Sequence, residues 1–149
     1  MLLDRSALVA LVMAERPARA VFDALAEDPK RAIGAPTLVE TAMVLAGRRA
    51  AASLGATSDL VLVMSRFEVA VLPFAQDHWL MAWAAFLRYG KGHHPAGLNF
   101  GDCLTYAVAK LSGLPLLCIG GDFAQTDLAL VPLAEEILDR PRKTMALGV

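Results

Sequence analysis

The sequence has no long hydrophobic run, although 56% of its 149 residues are hydrophobic. Its longest stretch without a charged residue covers residues 111–121, and Gly113 and Pro115 interrupt it. A helix that crosses a membrane needs about 20 apolar residues. The missing run excludes such a helix and predicts a soluble chain, with either an unusually apolar interior or an apolar surface reserved for a partner.

The chain also has few cysteines and a net charge close to zero. The two cysteines, Cys103 and Cys118, are too few to form a metal cage by themselves and fit reduced thiols in a core. Residues 1–5 show no basic region, long apolar region or cleavage site of a signal peptide, which predicts a cytoplasmic protein. A net charge of −1 argues against broad electrostatic binding of nucleic acid, so any contact with a polyanion is expected to be local.

Short apolar runs alternate with amphipathic segments along the chain. Strands are predicted over residues 2–3, 32–34, 68–74 and 114–119, with an edge strand over 128–133. Helices are predicted after a cap at Ser6, from Pro17, from Pro36, around 60–64, over 76–89, and from Asn99 or Phe100 to a cap at Gly113. This alternation predicts a single α/β domain over residues 1–149, with a mostly parallel sheet and a charged tail over 139–149.

Two tryptophans share one face of the helix predicted over 76–89. Trp79 and Trp83 are four residues apart, which places them on neighbouring turns of a helix. We interpret them as core or dimer-interface residues rather than as platforms on which bases stack.

Carboxylates occur at four positions where the surrounding sequence is apolar. They are Asp4 and Asp122, which follow predicted strands, Glu40 on an apolar helix face, and Asp102 just inside a helix N-terminus. Ligands bind beyond the carboxyl ends of the strands in open α/β sheets. Two carboxylates about 5 Å apart repel by roughly 3 kcal/mol at an effective dielectric constant of 20. Mg²⁺ or Mn²⁺ would remove that repulsion and activate a water to attack a phosphodiester.

Each acid also has a purely structural interpretation. Asp4 can cap the first helix, Asp102 can complement a helix dipole, and Asp122 can be a turn residue. Glu40 is harder to explain in this way, because an acid on an apolar helix face needs a partner. The residues alone therefore leave both a joint site and separate structural roles open.

Four segments resemble the PIN domain, specifically that of VapC-type toxins. Residues 3–11, in which Ser-Ala-Leu follows Asp4 and Arg5, resemble the opening motif, and residues 35–41 resemble the second acidic motif. The most specific match covers residues 89–103, with Asn-Phe-Gly-Asp-Cys at its end, and continues into Tyr106-Ala107 and Ala109-Lys110. Residues 117–127 resemble the closing motif. The match runs through nearly the whole chain in the order typical of the family.

The resemblance implies a three-layer α/β/α fold with a mostly parallel central sheet. It also implies a Mg²⁺- or Mn²⁺-dependent endoribonuclease toxin that cleaves RNA, is silenced by a cognate antitoxin and is commonly a homodimer. By position, the family's catalytic acids correspond to Asp4, Glu40 and Asp102, and Ser6 supports the site. For the fourth acid we choose Asp122, with Asp127 as the alternative; Asp4, Asp102 and Asp122 are then the expected metal ligands.

Two positions depart from the family pattern. Many relatives have a second polar or acidic residue immediately before the aspartate of the closing motif, where this chain has Gly121. A small residue is usual after the first aspartate, where this chain has Arg5. The Arg5 guanidinium can contact phosphate, lie against the antitoxin or simply face solvent.

Three other classes of protein compete with this interpretation. A phosphatase of the HAD type needs a second aspartate two residues after the first, and Ser6 occupies that position, which excludes this class. A PIN-fold nuclease acting on structured DNA is expected to be larger and more basic than this chain. A catalytically degenerate PIN domain that only binds a partner stays open because of Gly121. The identities of the RNA and of the antitoxin do not follow from the sequence.

Overall fold

The computed structural model describes residues 1–48 and 53–133, so the charged tail predicted over 139–149 lies outside the described residues. The elements within these ranges are, in chain order, β1 (Leu2–Leu3), α1 (Arg5–Val12), α2 (Ala18–Glu27), β2 (Ala32–Gly34), α3 (Ala35–Arg48), α4 (Ser53–Arg66), β3 (Ala70–Leu72), α5 (Gln76–Tyr89), α6 (Phe100–Ser112) and β4 (Leu116–Leu117), followed by a short 3₁₀ helix (Phe123–Gln125).

The four strands form one parallel sheet in the order β3-β2-β1-β4. Leu3 pairs with Ile33 on one side and with Leu117 on the other. Because all four strands run in the same direction, their carboxyl ends lie at one edge of the sheet. The segments that follow β1 and β4, which begin at Asp4 and Cys118, therefore start at that edge.

The alternation of side chains along the strands divides the core into two parts. Leu3, Ile33 and Leu117 belong to a core cluster with residues of α1, α2, α3 and α4. Leu2, Ala32 and Leu116 belong to a second cluster with residues of α5 and α6. Successive strand residues point to opposite faces of a sheet, so a two-residue strand is enough to contribute to both clusters. The predicted three-layer α/β/α fold is confirmed.

Two strands differ from their predicted extents, and one predicted strand is absent from the described part of the chain. The segments 68–74 and 114–119 contribute only β3 and β4. The edge strand predicted over 128–133 is wrong, because a single bridge joins Leu130 to Leu116. Pro132 follows directly after the hydrogen bond from Val131 N to Leu116 O, and proline has no N–H to continue a ladder.

Helix α5 carries apolar residues on its outer surface. Trp79 and Trp83 are each 54% exposed, and Leu80 and Leu87 are similarly exposed. Of the two interpretations of the tryptophans, the core is wrong, because Ala82 and Ala85 are buried on the inner face instead, and the dimer interface stays a prediction. No helix among residues 1–48 and 53–133 is both long enough and apolar enough to cross a membrane.

Candidate active site

Asp4 lies where β1 ends and α1 begins. It is buried and is the N-cap of α1, accepting hydrogen bonds at Oδ2 from Ser6 N at 2.9 Å and Ser6 Oγ at 2.5 Å. The prediction that Ser6 caps this helix is wrong, because Asp4 is the N-cap. Ser6 Oγ instead accepts a hydrogen bond from Ile119 N at 2.9 Å. Ser6 thereby holds Asp4 in place and joins it to the segment that follows β4.

Asp102 lies in the first turn of α6 and is also buried. Its Oδ2 accepts a hydrogen bond from Asn99 N at 2.9 Å, and Asn99 Oδ1 accepts one from Asp102 N at 3.0 Å. This reciprocal capping box fixes the carboxylate at the helix N-terminus. Among the described residues, the hydrogen bonds to Asp4 and to Asp102 all end on Oδ2, which leaves Oδ1 of each carboxylate for another ligand.

Glu40 approaches α6 at a position that has no side chain. A Cβ atom placed on Gly101 would lie 2.4 Å from Glu40 Oε2 and 2.6 Å from Oε1. Helices α3 and α6 are held together nearby by a hydrogen bond of 2.8 Å between the hydroxyls of Thr37 and Thr105. Glycine at position 101 is therefore what allows the Glu40 carboxylate to lie against the first turn of α6, the turn that carries Asp102.

Arg5 is the partner that Glu40 was expected to need. Its Nη1 lies 2.7 Å from Glu40 Oε1, and both side chains are about one-third exposed, at 33% and 31%. Arg5 is the first residue of α1 and directly follows Asp4. The guanidinium thus stands at the site of the acids, a placement that the sequence left open.

The pKa values of the acids show that their charges interact. Burial raises the pKa of Asp102, the hydrogen bond from Asn99 N lowers it, and the charges of Asp4 and Asp122 raise it further. Burial also raises the pKa of Glu40, Arg5 lowers it, and Asp4 and Asp102 raise it. Like charges shift one another's pKa only at short range. The four predicted acids are therefore electrostatic neighbours.

Asp122 and Asp127, the two candidates for the fourth acid, lie in different surroundings. Asp122 is exposed, precedes the 3₁₀ helix, and acts on the pKa of Asp102 and of the Cys118 thiol. Asp127 instead accepts hydrogen bonds from Tyr106 Oη at 2.6 Å and Lys110 Nζ at 2.8 Å. Lys110 is eight residues beyond Asp102, which is about 12 Å along a helix. The geometry favours Asp122 as the member of the acid cluster, and its catalytic role stays a prediction.

Carboxylate oxygens are the ligands that Mg²⁺ and Mn²⁺ prefer, so the donor chemistry of the cluster fits such a cation. The present arrangement is nevertheless not a closed cage. Over residues 1–48 and 53–133, no three His, Cys, Asp or Glu side chains lie close enough together to hold a metal ion. Glu40 is paired with Arg5 instead of converging with the other acids.

Sequence reasoning missed two contributors to this site. One is Gly101, which its position immediately before a candidate acid could have indicated. The other is the Arg5–Glu40 pair, which could have been suspected because Arg5 is a long cation where the resemblance predicts a small residue.

Comparison with known proteins places the chain among relatives over most of its length. The sequence profile of the PIN domain matches residues 1–129. Ribonuclease VapC36 of Mycobacterium tuberculosis is 46% identical over 131 residues, covering 86% of this chain and 91% of the relative. Ribonuclease VapC of Mycolicibacterium smegmatis is 42% identical over 131 residues, covering 88% of this chain and 99% of the relative.

Solved structures share the fold at lower sequence identity. The crystal structure of Mycobacterium tuberculosis VapC20, described as a sarcin–ricin loop cleaving toxin, superposes with a TM-score of 0.70 at 21% identity, covering 87% of this chain and 97% of that one. A chain in a toxin–antitoxin complex from Klebsiella pneumoniae gives a TM-score of 0.64 at 21% identity, covering 87% and 95%.

Proposed function

The chain belongs to the PIN domain family, with VapC ribonucleases among its relatives, and we propose that it is the endoribonuclease toxin of a toxin–antitoxin pair. The observation that supports the catalytic part most directly is the cluster of Asp4, Glu40, Asp102 and Asp122 at the carboxyl edge of the sheet. Two of these acids are buried, and two have raised pKa values. Acids with no structural need for one another are expected to serve a cation that binds there.

A divalent metal ion, Mg²⁺ or Mn²⁺, is the cofactor that this donor set would hold. Asp4, Asp102 and Asp122 are the proposed ligands. When bound, the ion would activate a water and shield the negative charge that develops on the phosphodiester. The chain's own part is to position the acids: Ser6 orients Asp4, and Asn99 orients Asp102. Glu40, which is not among the proposed metal ligands and whose pKa is raised by burial, is the proposed acceptor of the proton from the attacking water.

The apolar surface beside the acids is the proposed binding surface for protein partners. An exposed groove of about 440 Å³ lies between α3 and α6, lined by Val39, Met43, Phe100 and Leu104 as well as Glu40. The exposed apolar face of α5 adjoins it through Phe100 and Leu104. An amphipathic helix of a cognate antitoxin suits the groove. A second copy of the chain, forming a homodimer, suits the exposed apolar face of α5. Light scattering at micromolar concentration tests the dimer, and a monomer would contradict it.

The nuclease activity is tested with the purified chain, total RNA and a single-stranded DNA of matched length. We expect RNA cleavage with Mg²⁺ or Mn²⁺, none with chelator, and none by Asp4→Asn at either condition. Parallel assays of Asp122→Asn and Asp127→Asn identify the fourth acid, and we expect a loss only for Asp122→Asn. Cleavage of DNA alone would favour a DNA nuclease, and full activity of Asp4→Asn would contradict the proposed function.

A degenerate PIN domain is the second candidate, and Gly121 is the residue that favours it. A chain of that kind would bind an antitoxin and show no metal-dependent cleavage of RNA. The same assay therefore separates the two candidates.

A further inference from the structure

We propose that Arg5 is a counter-ion of the acid cluster. Arg5 holds Glu40 in the metal-free protein and competes with a divalent cation for the site. This inference rests on the proposed function, because it concerns how the same site takes up its metal. Arg5 is a positioning residue in this proposal and acts through Glu40.

The contacts of Glu40 support this role from two sides. On one side its carboxylate lies against the bare Cα of Gly101, where even a Cβ atom would lie 2.4 Å from Oε2. On the other side Oε1 accepts a hydrogen bond from Arg5 at 2.7 Å. Glu40 therefore contacts the backbone of α6 on one side and a guanidinium that neutralises its charge on the other.

The charge of Arg5 also reaches beyond Glu40. It lowers the pKa of both Glu40 and Asp102, against the rise that burial causes. A positive charge that stabilises these carboxylates in the absence of metal must repel a metal ion that approaches the same carboxylates. The two cations are thus alternatives for one set of negative charges.

A second arginine provides a matched comparison. Arg48 Nη1 lies 2.6 Å from Glu15 Oε1, and both residues line the same small pocket as Arg5 and Ser6. Glu15 is not one of the clustered acids. Removing the charge of Arg48 therefore changes the net charge by the same amount, in the same region, without releasing any acid of the site.

The experiment measures Mn²⁺ binding by isothermal titration calorimetry and by the rise in melting temperature, using the full chain without RNA. The variants are Arg5→Gln, Arg5→Lys and Arg48→Gln. We expect Arg5→Gln to bind Mn²⁺ about tenfold more tightly than the unmodified chain, as the loss of one repulsive charge near a divalent ion implies. Arg5→Lys keeps the charge and should stay within about threefold of the unmodified chain. Arg48→Gln should change the affinity by less than about twofold.

The outcomes separate this inference from the proposed function. Equal or weaker Mn²⁺ binding by Arg5→Gln overturns the inference, even if the unmodified chain binds Mn²⁺ and cleaves RNA. An equal gain for Arg48→Gln also overturns it, since the effect would then be one of net charge. Loss of RNA cleavage by Arg5→Gln at unchanged Mn²⁺ affinity would mean that Arg5 contacts the substrate instead. No Mn²⁺ binding by any of the proteins would overturn the metal site of the proposed function and the inference with it. If circular dichroism shows that Arg5→Gln is unfolded, Arg5→Ala replaces it, because alanine suits the first turn of a helix.

Discussion

Asp102 lies in helix α6 and Asp127 is hydrogen-bonded to the same helix, yet the surroundings of the two acids shift their pKa values in opposite directions. Asp102 is buried at the first turn, and its pKa is raised mainly by burial, with Asp4 and Asp122 as negative neighbours. Asp127 lies near the other end of the helix, where the hydrogen bond from Lys110 and then that from Tyr106 lower its pKa to about 2.

The difference separates an acid whose charge is satisfied within the chain from one that is proposed to bind a cation. Lys110, Tyr106 and, at 3.7 Å, Arg88 satisfy the charge of Asp127 within the chain. Asp102 has no comparable cation of its own among the described residues, since Arg5 is paired with Glu40. A buried carboxylate whose charge is only partly compensated destabilises the metal-free protein, and such an arrangement is typical of functional sites. Replacing each aspartate by asparagine should therefore have opposite consequences.

The largest expected effect is on catalysis. Asp102→Asn should lower metal-dependent RNA cleavage by at least about 100-fold, because it removes a charge from the proposed metal site. Asp127→Asn should retain cleavage within about threefold, since its partners Tyr106 and Lys110 lie about 6 and 12 Å further along α6 than Asp102. Single-turnover cleavage of a labelled RNA measures both. Equal losses in the two variants would erase the distinction between the two acids.

A smaller loss of RNA cleavage is expected when the Glu40 carboxylate is displaced but keeps its charge. Gly101→Ala places a Cβ within 2.4 Å of Glu40 Oε2, so the carboxylate must move. We expect cleavage to fall by about tenfold, as small misplacements of catalytic groups do. Gly47→Ala is the control, because a Cβ at Gly47, also on a helix, meets nothing within 4 Å. Similar melting temperatures with unequal cleavage would support the role of Gly101, and unchanged cleavage in Gly101→Ala would contradict it.

The stability of the metal-free protein should respond to Asp102→Asn in the direction opposite to activity. Asparagine can still accept the hydrogen bond from Asn99 N, so the capping box is kept. With chelator at pH 7, we expect the free energy of unfolding to rise by about 1 kcal/mol, as one repulsive charge is removed. The raised pKa means that the folded state favours the protonated acid, so the gain should vanish as the pH falls toward about 4, where the unfolded acid also protonates.

Melting of both proteins with chelator and with Mn²⁺ checks this prediction. The metal should raise the melting temperature of the unmodified chain more than that of the variant. A variant that is less stable without metal and equally responsive to it would show that Asp102 is only a helix-start residue.

An effect of similar size but opposite sign is expected for the stability of Asp127→Asn. Asp127→Asn should lower the free energy of unfolding at pH 7 by about 1 kcal/mol, a value that allows for the partial exposure of the ion pair. A lowered folded pKa contributes stability that is present above about pH 4 and is lost as the pH falls toward 2. The two proteins should therefore differ at pH 7 and converge at low pH in urea unfolding. A difference that grows on acidification would contradict this account.

The sequence predicted the fold class and the acid cluster better than it predicted the elements at the sheet edge. Asp4, Glu40, Asp102 and Asp122 were named as candidates, and the structure makes them electrostatic neighbours. The edge strand over 128–133 was wrong because alternation alone does not show that Pro132 ends the pairing. For Trp79 and Trp83 the sequence left the core and a dimer interface open, and their exposure excludes the core. Apolar periodicity shows that residues share a face and does not show what covers it.

The sequence by itself determined which residues are acids, which segments form most of the strands and helices, and that the sheet is mostly parallel. These features follow from residue type and from the local periodicity of side chains. Only the tertiary structure decided which acids are neutralised. Arg5 meets Glu40 across 35 positions of sequence, and Lys110 meets Asp127 across 17. Charge compensation depends on distance and burial, and the order of residues along a chain specifies neither until the chain has folded.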